Sequence, residues 1–159
     1  MKKILVTGGA GYVGCVLVPK LLAAGYHVVV YDLMLFGRQG LPEHPKLDVI
    51  EGDIRDTALL ASHLNQVDCV LHMACISNDP SFELQPDLSR TINYDCFEPM
   101  VAAVKSADVR RFIYVSSSSV YGVSEALEVT EEHPLLPLTD YNKYKGLCEP
   151  LLLKYQSPD

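Results

Sequence analysis

Positive charge is scarce in this sequence: 13 Lys and Arg stand against 20 Asp and Glu, a formal net charge of −7, and no basic cluster offsets it. Electrostatic capture of a phosphate backbone or an anionic membrane therefore has no source, and nucleic acid is excluded as an expected partner. A Cys-x-x-Cys pair is also missing. The five cysteines (Cys15, Cys69, Cys75, Cys96, Cys148) are odd in number and scattered, which argues against a zinc clamp or thiol exchange. Reduced, mostly buried thiols in a reducing cytoplasm are expected instead, with no metal site. Long apolar runs are absent as well. MKKILV imitates the start of a signal peptide, but TGGAG interrupts it well short of the ~7 to 15 apolar residues required. No stretch approaches the ~20 apolar residues of a membrane span. Repeats and low-complexity tracts are lacking, and at 21% charged the chain is too weakly charged to stay disordered.

What remains is a 159-residue chain, 48% apolar, the size of one domain with enough apolar surface for both faces of a small sheet. Five short, nearly continuous apolar runs read as strands: Ile4 to Thr7, His27 to Asp32, Leu47 to Asp53, Asp68 to Ala74 and Arg111 to Ser117. Helical patterns fall between them, at Gly11 to Ala24, Thr57 to Asn65 and Pro86 to Ala107. Strands buried on both faces and alternating with helices predict an α/β parallel sheet built from right-handed crossovers. A last helix is predicted from Thr139 or Asp140, either able to cap it, and Pro150 is expected to kink or weaken it by clashing with the Gly146 carbonyl.

Directly after the first strand comes TGGAGYVG, in which Gly9, Gly11 and Gly14 satisfy G-x-G-x-x-G and Gly8, Gly11 and Gly14 lie three apart. Between a strand and a helix such a loop turns sharply, lets its backbone approach a pyrophosphate, and packs helix against strand, while the helix N-terminus faces the anion. The competing reading is a tight turn without a ligand. Asp32, ending the second strand 18 residues beyond Gly14, is placed to accept from adenosine ribose hydroxyls and to repel a 2′-phosphate, which favours NAD over NADP. Arg38, six residues on, works the other way. Asp53 and Ile54 leave the third strand as a carboxylate and an apolar group suited to an adenine edge and face, with a helix N-cap the alternative for Asp53. His72 has no partner at metal-ligand spacing and reads as a packed, hydrogen-bonded core histidine.

Tyr141 and Lys145 are four apart on the last helix, hence on one face. A phenol acting as a base near neutrality needs its pKa lowered from ~10 to ~7, about 4 kcal/mol of phenolate stabilisation, which a nearby ammonium and an oxidised nicotinamide are able to supply. Taken alone the pair reads more readily as a solvated helix face. Tyr144 has Cys148 four residues on and cannot form the same pair. SSSSVYG follows the fifth strand, at the edge where open parallel sheets bind ligands.

TGGAGYVG, Asp32, GDIRD around Asp53, HMAC from His72 to Cys75, Asn93, SSSSVYG and Tyr141-x-x-x-Lys145 together resemble the extended short-chain dehydrogenase/reductases, in particular the NAD-dependent epimerase/dehydratase family acting on nucleotide sugars. The resemblance spans nearly the whole chain. It implies a Rossmann-like doubly wound parallel sheet of about five strands in the order 3-2-1-4-5, with residues 1–159 forming the NAD-binding domain and the C-terminal substrate-binding region absent. By resemblance the catalytic residues are Ser117, Tyr141 and Lys145. Those implied to hold NAD are Gly8, Gly11, Tyr12, Val13, Gly14, Asp32, Asp53, Ile54, Met73, Ala74, Cys75, Asn93, Tyr141 and Lys145. Cys75 departs from the family's HxAA, replacing its second Ala, and Asn93 is implied to hold active-site backbone. Ser118 and Ser119 stand where the family's 4,6-dehydratases carry Asp-Glu, which disfavours that elimination; with Ser116 they read as ordinary loop serines. The expected activity is nucleotide-sugar epimerisation through a keto sugar. The alternatives are a dehydrogenase or reductase of the same family, or a dinucleotide-binding module without turnover. Family members are longer, and the expected partners are a nucleotide sugar and a second copy, docked through the helices holding Asn93 to Ala107 and Tyr141 to Lys154.

Overall fold

A computed structural model describes residues 2–77 and 79–157. Two compact units emerge, one comprising the chain up to Cys75 together with Pro99–Val115, the other Ile76–Glu98 and the chain from Ser116 onward.

The first unit holds a five-stranded parallel sheet: β1 (Lys3–Thr7), β2 (His27–Asp32), β3 (Leu47–Glu51), β4 (Cys69–His72) and β5 (Arg111–Tyr114). Their order is β3-β2-β1-β4-β5, the one expected. The register pairs Leu5 with Val29 and Val70, and Thr7 with Tyr31 and His72, so the ends of three strands align at one edge. Ile4, Val6, Val28, Val30 and Cys69 form one face of the core with Val18 and Leu22 of helix α1 (Gly14–Ala23). The alternate positions Leu5, Val29, Tyr31 and Val70 are buried on the opposite face. Burial of each such aliphatic side chain is worth roughly 1.5–3 kcal/mol against solvent, which is why β1, β2 and β4 read as continuous apolar runs. The edge strands differ. β3 and β5 are only partly buried, because each has a strand neighbour on one side alone. Three strands also stop short of the expected Asp53, Ala74 and Ser117, ending at Glu51, His72 and Tyr114. Helix α2 is short (Thr57–Ser62), and its N-cap is Asp56, whose carboxylate accepts from Leu59 N–H at 2.9 Å. The capping alternative for Asp53 is thereby corrected.

The expected single helix from Pro86 is divided, its part up to Glu98 lying in the second unit and the rest in the first. Helix α3 (Asp79–Leu84) precedes α4 (Pro86–Arg90), and a π-helical turn at Thr91–Asp95 separates α4 from α5 (Phe97–Ser106). The wider turn is closed by Cys96 N–H donating to Thr91 O at 3.2 Å, and such turns concentrate at functional positions. Ser118–Tyr121 forms a single 3-10 turn. Helix α6 (Asp140–Leu153) is capped by Thr139 Oγ1, which accepts from Asn142 N–H at 3.3 Å. Pro150 does not end it. The helix runs on past the exposed Pro150 to Leu153. None of the five cysteines is in a disulfide; Cys69, Cys96 and Cys148 are buried, Cys15 and Cys75 partly so. Among the described residues no helix is long and apolar enough to cross a membrane.

Candidate active site

The first unit carries the glycine loop. Gly8 turns the chain out of β1 with φ +72°, and a Cβ there would lie 2.7 Å from the Ala74 backbone. A Cβ on Gly9 would press to 2.8 Å on Val30, and one on Gly14 would overlap the Gly9 carbonyl and lie 2.7 Å from its Cα. Packing within the chain accounts for these three. Gly11 is different: its Cβ would meet only Gly8 O, at 3.3 Å. Packing within the chain therefore constrains Gly11 less than the other three glycines. Tyr12, 96% exposed, and exposed Val13 follow it. Helix α1 then starts with no side-chain cap and no acidic residue in its first turn, leaving its N-H groups and positive dipole end for an anion. These features fit a pyrophosphate.

Asp32 anchors that loop. Its Oδ2 accepts from Ala10 N–H and its Oδ1 from Met34 N–H, both at 2.9 Å. Each carboxylate oxygen retains capacity for a ribose hydroxyl. Tyr31, buried in β2, donates its hydroxyl to Asp53 O at 3.0 Å, and its ring fills the space that a Cβ on Gly52 would need. Burial, followed by the charges of Asp56 and Asp53, pushes the Tyr31 phenol up to about 12. Arg55, hydrogen-bonded to Asp53 through both side chain and backbone, holds that carboxyl below its usual range. Ile54 is only 5% exposed, which leaves little of its side chain for an adenine face. At the end of β4, Thr7 Oγ1 accepts from Met73 and Ala74 N–H at 3.3 Å and lies 2.7 Å from His72 Nδ1. Since that hydroxyl accepts twice, its proton goes to Nδ1. His72, 3% exposed and stacked on Tyr114, is thus a packed core histidine. Thr7 thus ties the end of β1 to the end of β4, a role that sequence reading passed over although the T of TGGAG marked it.

The second unit carries the Tyr-Lys helix. Two adjacent stripes run along α6. Tyr141, Lys145 and Cys148 form one; Asn142, Gly146 and Glu149 form the other. Glu149 accepts from Ser116 Oγ, Asn142 from Ser119 Oγ, and the bare Gly146 faces Val120, where a Cβ would rest at 3.5 Å. The SSSSV segment is thereby fastened along one side of the helix. Ser116 and Ser119 are therefore not ordinary loop serines, as expected from sequence, but tie that segment to α6. Ser117, in extended backbone, caps the 3-10 turn by accepting from Ser119 N–H at 3.3 Å. Lys145 is 3% exposed, which removes the solvated-face reading of the Tyr-Lys pair. Cys148 donates to Asn93 O at 3.4 Å, and the Asn93 side chain bonds both backbone groups of Ile76, at 2.8 and 3.0 Å. The π-helical turn is what frees Asn93 to brace the segment just after Cys75. Tyr144 packs its ring on Tyr94, 5.3 Å away, away from the Lys145 role.

A five-stranded parallel sheet in the order β3-β2-β1-β4-β5, with a glycine loop leading from β1 into an uncapped helix, defines a Rossmann-like fold. The chain belongs to the NAD dependent epimerase/dehydratase family, which it matches over residues 4–158. A UDP-glucose 4-epimerase from Lactobacillus helveticus is 32% identical over 94% of this chain and 46% of its own length. A 3 beta-hydroxysteroid dehydrogenase/isomerase from Mycobacterium tuberculosis is 33% identical over 99% of this chain and 44% of its own. Among solved structures, a dTDP-glucose 4,6-dehydratase from Streptomyces venezuelae with NAD bound superposes with TM-score 0.89 at 30% identity, over 96% of this chain and 51% of that one. The chain thus spans about half the length of the relatives it matches.

Proposed function

We propose that this chain is the cofactor-binding and proton-transfer part of an NAD-dependent nucleotide-sugar epimerase acting at the sugar 4-position. The supporting observation is the burial of Lys145 at 3% exposure one helical turn from Tyr141, beside a serine segment bonded to the same helix. A buried ammonium acts through a low effective dielectric: at ~5 Å and an effective constant of ~20 it stabilises a phenolate by about 3 kcal/mol, most of what a phenol needs to serve as base near neutrality.

Backbone around Gly11, Tyr12, Val13 and Gly14 holds the pyrophosphate, Asp32 the ribose, and Met73, Ala74 and Cys75 line the cofactor. NAD bound there would supply a reversible hydride acceptor for the sugar carbon. Tyr141 takes the proton of the reacting hydroxyl, Lys145 stabilises the resulting charge distribution, and Ser117 hydrogen-bonds the reacting oxygen. Ser118 and Ser119 offer no carboxylate for the elimination of water, which favours epimerase over dehydratase chemistry. Self-association of two copies through α5 and α6 is part of the proposal, supported by Leu147 and Leu153 standing exposed on α6.

The test is Tyr141→Phe in the protein carrying this chain, assayed by NMR with UDP-, GDP- and dTDP-sugars. The variant is expected to keep NAD binding and lose turnover by ~10² or more, the scale of a lost general base. A variant retaining near-normal rate removes Tyr141 from the mechanism, and stoichiometric NAD binding without any exchange of sugar hydrogen in the wild type identifies a binding module instead.

A further inference from the structure

Ser117 is the end of a hydrogen-bonded chain whose direction is set elsewhere. Its Oγ lies 2.6 Å from Ser119 Oγ, and Ser119 Oγ donates to Asn142 Oδ1. A hydroxyl has one proton to give and an amide oxygen none. With the Ser119 proton committed to Asn142, the contact between the serines has one remaining donor, Ser117. The chain therefore runs Ser117 to Ser119 to Asn142. Its terminus is held firmly: Asn142 is buried, and its backbone N–H donates to Thr139 Oγ1, which itself donates to Asp79 at 2.7 Å.

An inward-pointing proton decides what Ser117 offers a substrate. One lone pair of its Oγ takes the Ser119 backbone N–H, and the other remains available. Donation into a chain also polarises a hydroxyl and makes its oxygen a better acceptor. Ser117 is in this state an acceptor, suited to a hydroxyl that still carries its proton. When that hydroxyl becomes a carbonyl, the requirement reverses, and rotation about the Ser117 Cβ–Oγ bond turns the same proton outward with no backbone movement.

Resting on the proposed sugar oxidation, we propose that Asn142 is a positioning residue which, acting through Ser119, orients the Ser117 hydroxyl to accept from the reacting sugar hydroxyl before its proton leaves. The hydroxyl proton goes to Tyr141, the hydride of the carbon to NAD, and Ser117 keeps its own proton throughout.

The experiment follows transient NAD reduction at 340 nm in single turnover, with epimer formation by NMR giving KM, in the protein carrying this chain and with the sugar nucleotide that the wild type turns over. Asn142→Ala and Ser119→Ala, each losing one orienting bond, are expected to slow the step about tenfold with KM within about twofold. The double variant is expected to be no slower than the slower single variant, because both act on one chain, and Ser119→Thr, keeping the hydroxyl, is expected to restore the rate. Asn142 backbone capping survives the change to Ala, so melting temperature serves as the folding control. Independently of turnover, the Asn142 side-chain carbonyl 13C resonance is expected to move in Ser119→Ala, while a shift confined to its side-chain 15N would mean that the amide donates and the chain runs the other way, overturning the inference. Single variants within twofold of an active wild type, or losses that multiply in the double variant, overturn it alone. A wild type in which none of the sugar nucleotides offered brings about NAD reduction overturns the proposed activity and this inference together.

Discussion

Gly11 and Gly14, three residues apart in one loop, respond oppositely to the same substitution. In Gly14→Ala the added methyl overlaps the Gly9 carbonyl and stands 2.7 Å from Gly9 Cα. Those are main-chain atoms at the junction of β1 and α1, unable to yield as a side-chain tip would, so the overpacking cost is set at about 1–3 kcal/mol. For a chain of this size that corresponds to a fall in melting temperature of roughly 2–12 °C. In Gly11→Ala the methyl meets only Gly8 O at 3.3 Å; the backbone shows no positive φ there, and restricting the unfolded chain returns about 0.4–1 kcal/mol. Its melting temperature is expected to lie well above that of Gly14→Ala and near the wild type. The same methyl occupies the space of close approach to a pyrophosphate, so NAD affinity is expected to fall at least about tenfold, the equivalent of ~1.4 kcal/mol. Calorimetric scanning without ligand and titration with NAD separate the two effects. A Gly11→Ala protein that binds NAD as the wild type does would refute the assignment of that glycine to the ligand, and one that melts well below it would refute the steric reading.

Tyr31 sets an alkaline limit on stability. Its phenol is raised to about 12 in the folded chain against 10 when unfolded, so the stabilisation is present below pH 10 and is lost as pH rises from there toward 12, because only the unfolded state ionises in that window. Tyr31→Phe is expected to flatten that part of the denaturation-against-pH curve, at the cost of the bond to Asp53 O; an unchanged slope contradicts the assignment. Asp32 serves both loop and cofactor. Asp32→Ala is expected to erase a preference for NAD over NADP and to lower stability by about 1–3 kcal/mol through the unpaired Ala10 and Met34 amides. Titration calorimetry showing wild-type preference for NADP would overturn the ribose role.

Sequence alone determined the parallel sheet and its strand order. Continuous β-branched runs, a glycine turn after the first and helix-length spacers between them admit few other topologies, since burial on both faces requires crossovers. It also determined which residue types form the loop and the Tyr-Lys pair, because their spacing is local: three glycines at a strand-helix junction and an i, i+4 pair need no knowledge of distant contacts. Tertiary structure decided everything that depends on which atoms face each other. A helical pattern from Pro86 could not reveal the π-helical turn that releases Asn93 to Ile76, because the partner lies 17 residues away. Serine composition could not distinguish Ser119 from a loop residue, since its meaning comes from Asn142, 23 residues downstream on α6. The glycine triplet was symmetric as a motif; only neighbouring backbone and Val30 separated the members required by packing from Gly11, the one left open. Hydrophobic periodicity is a one-dimensional signal, whereas the direction of a hydroxyl proton or the room for a methyl is fixed by atoms brought together from distant parts of the chain.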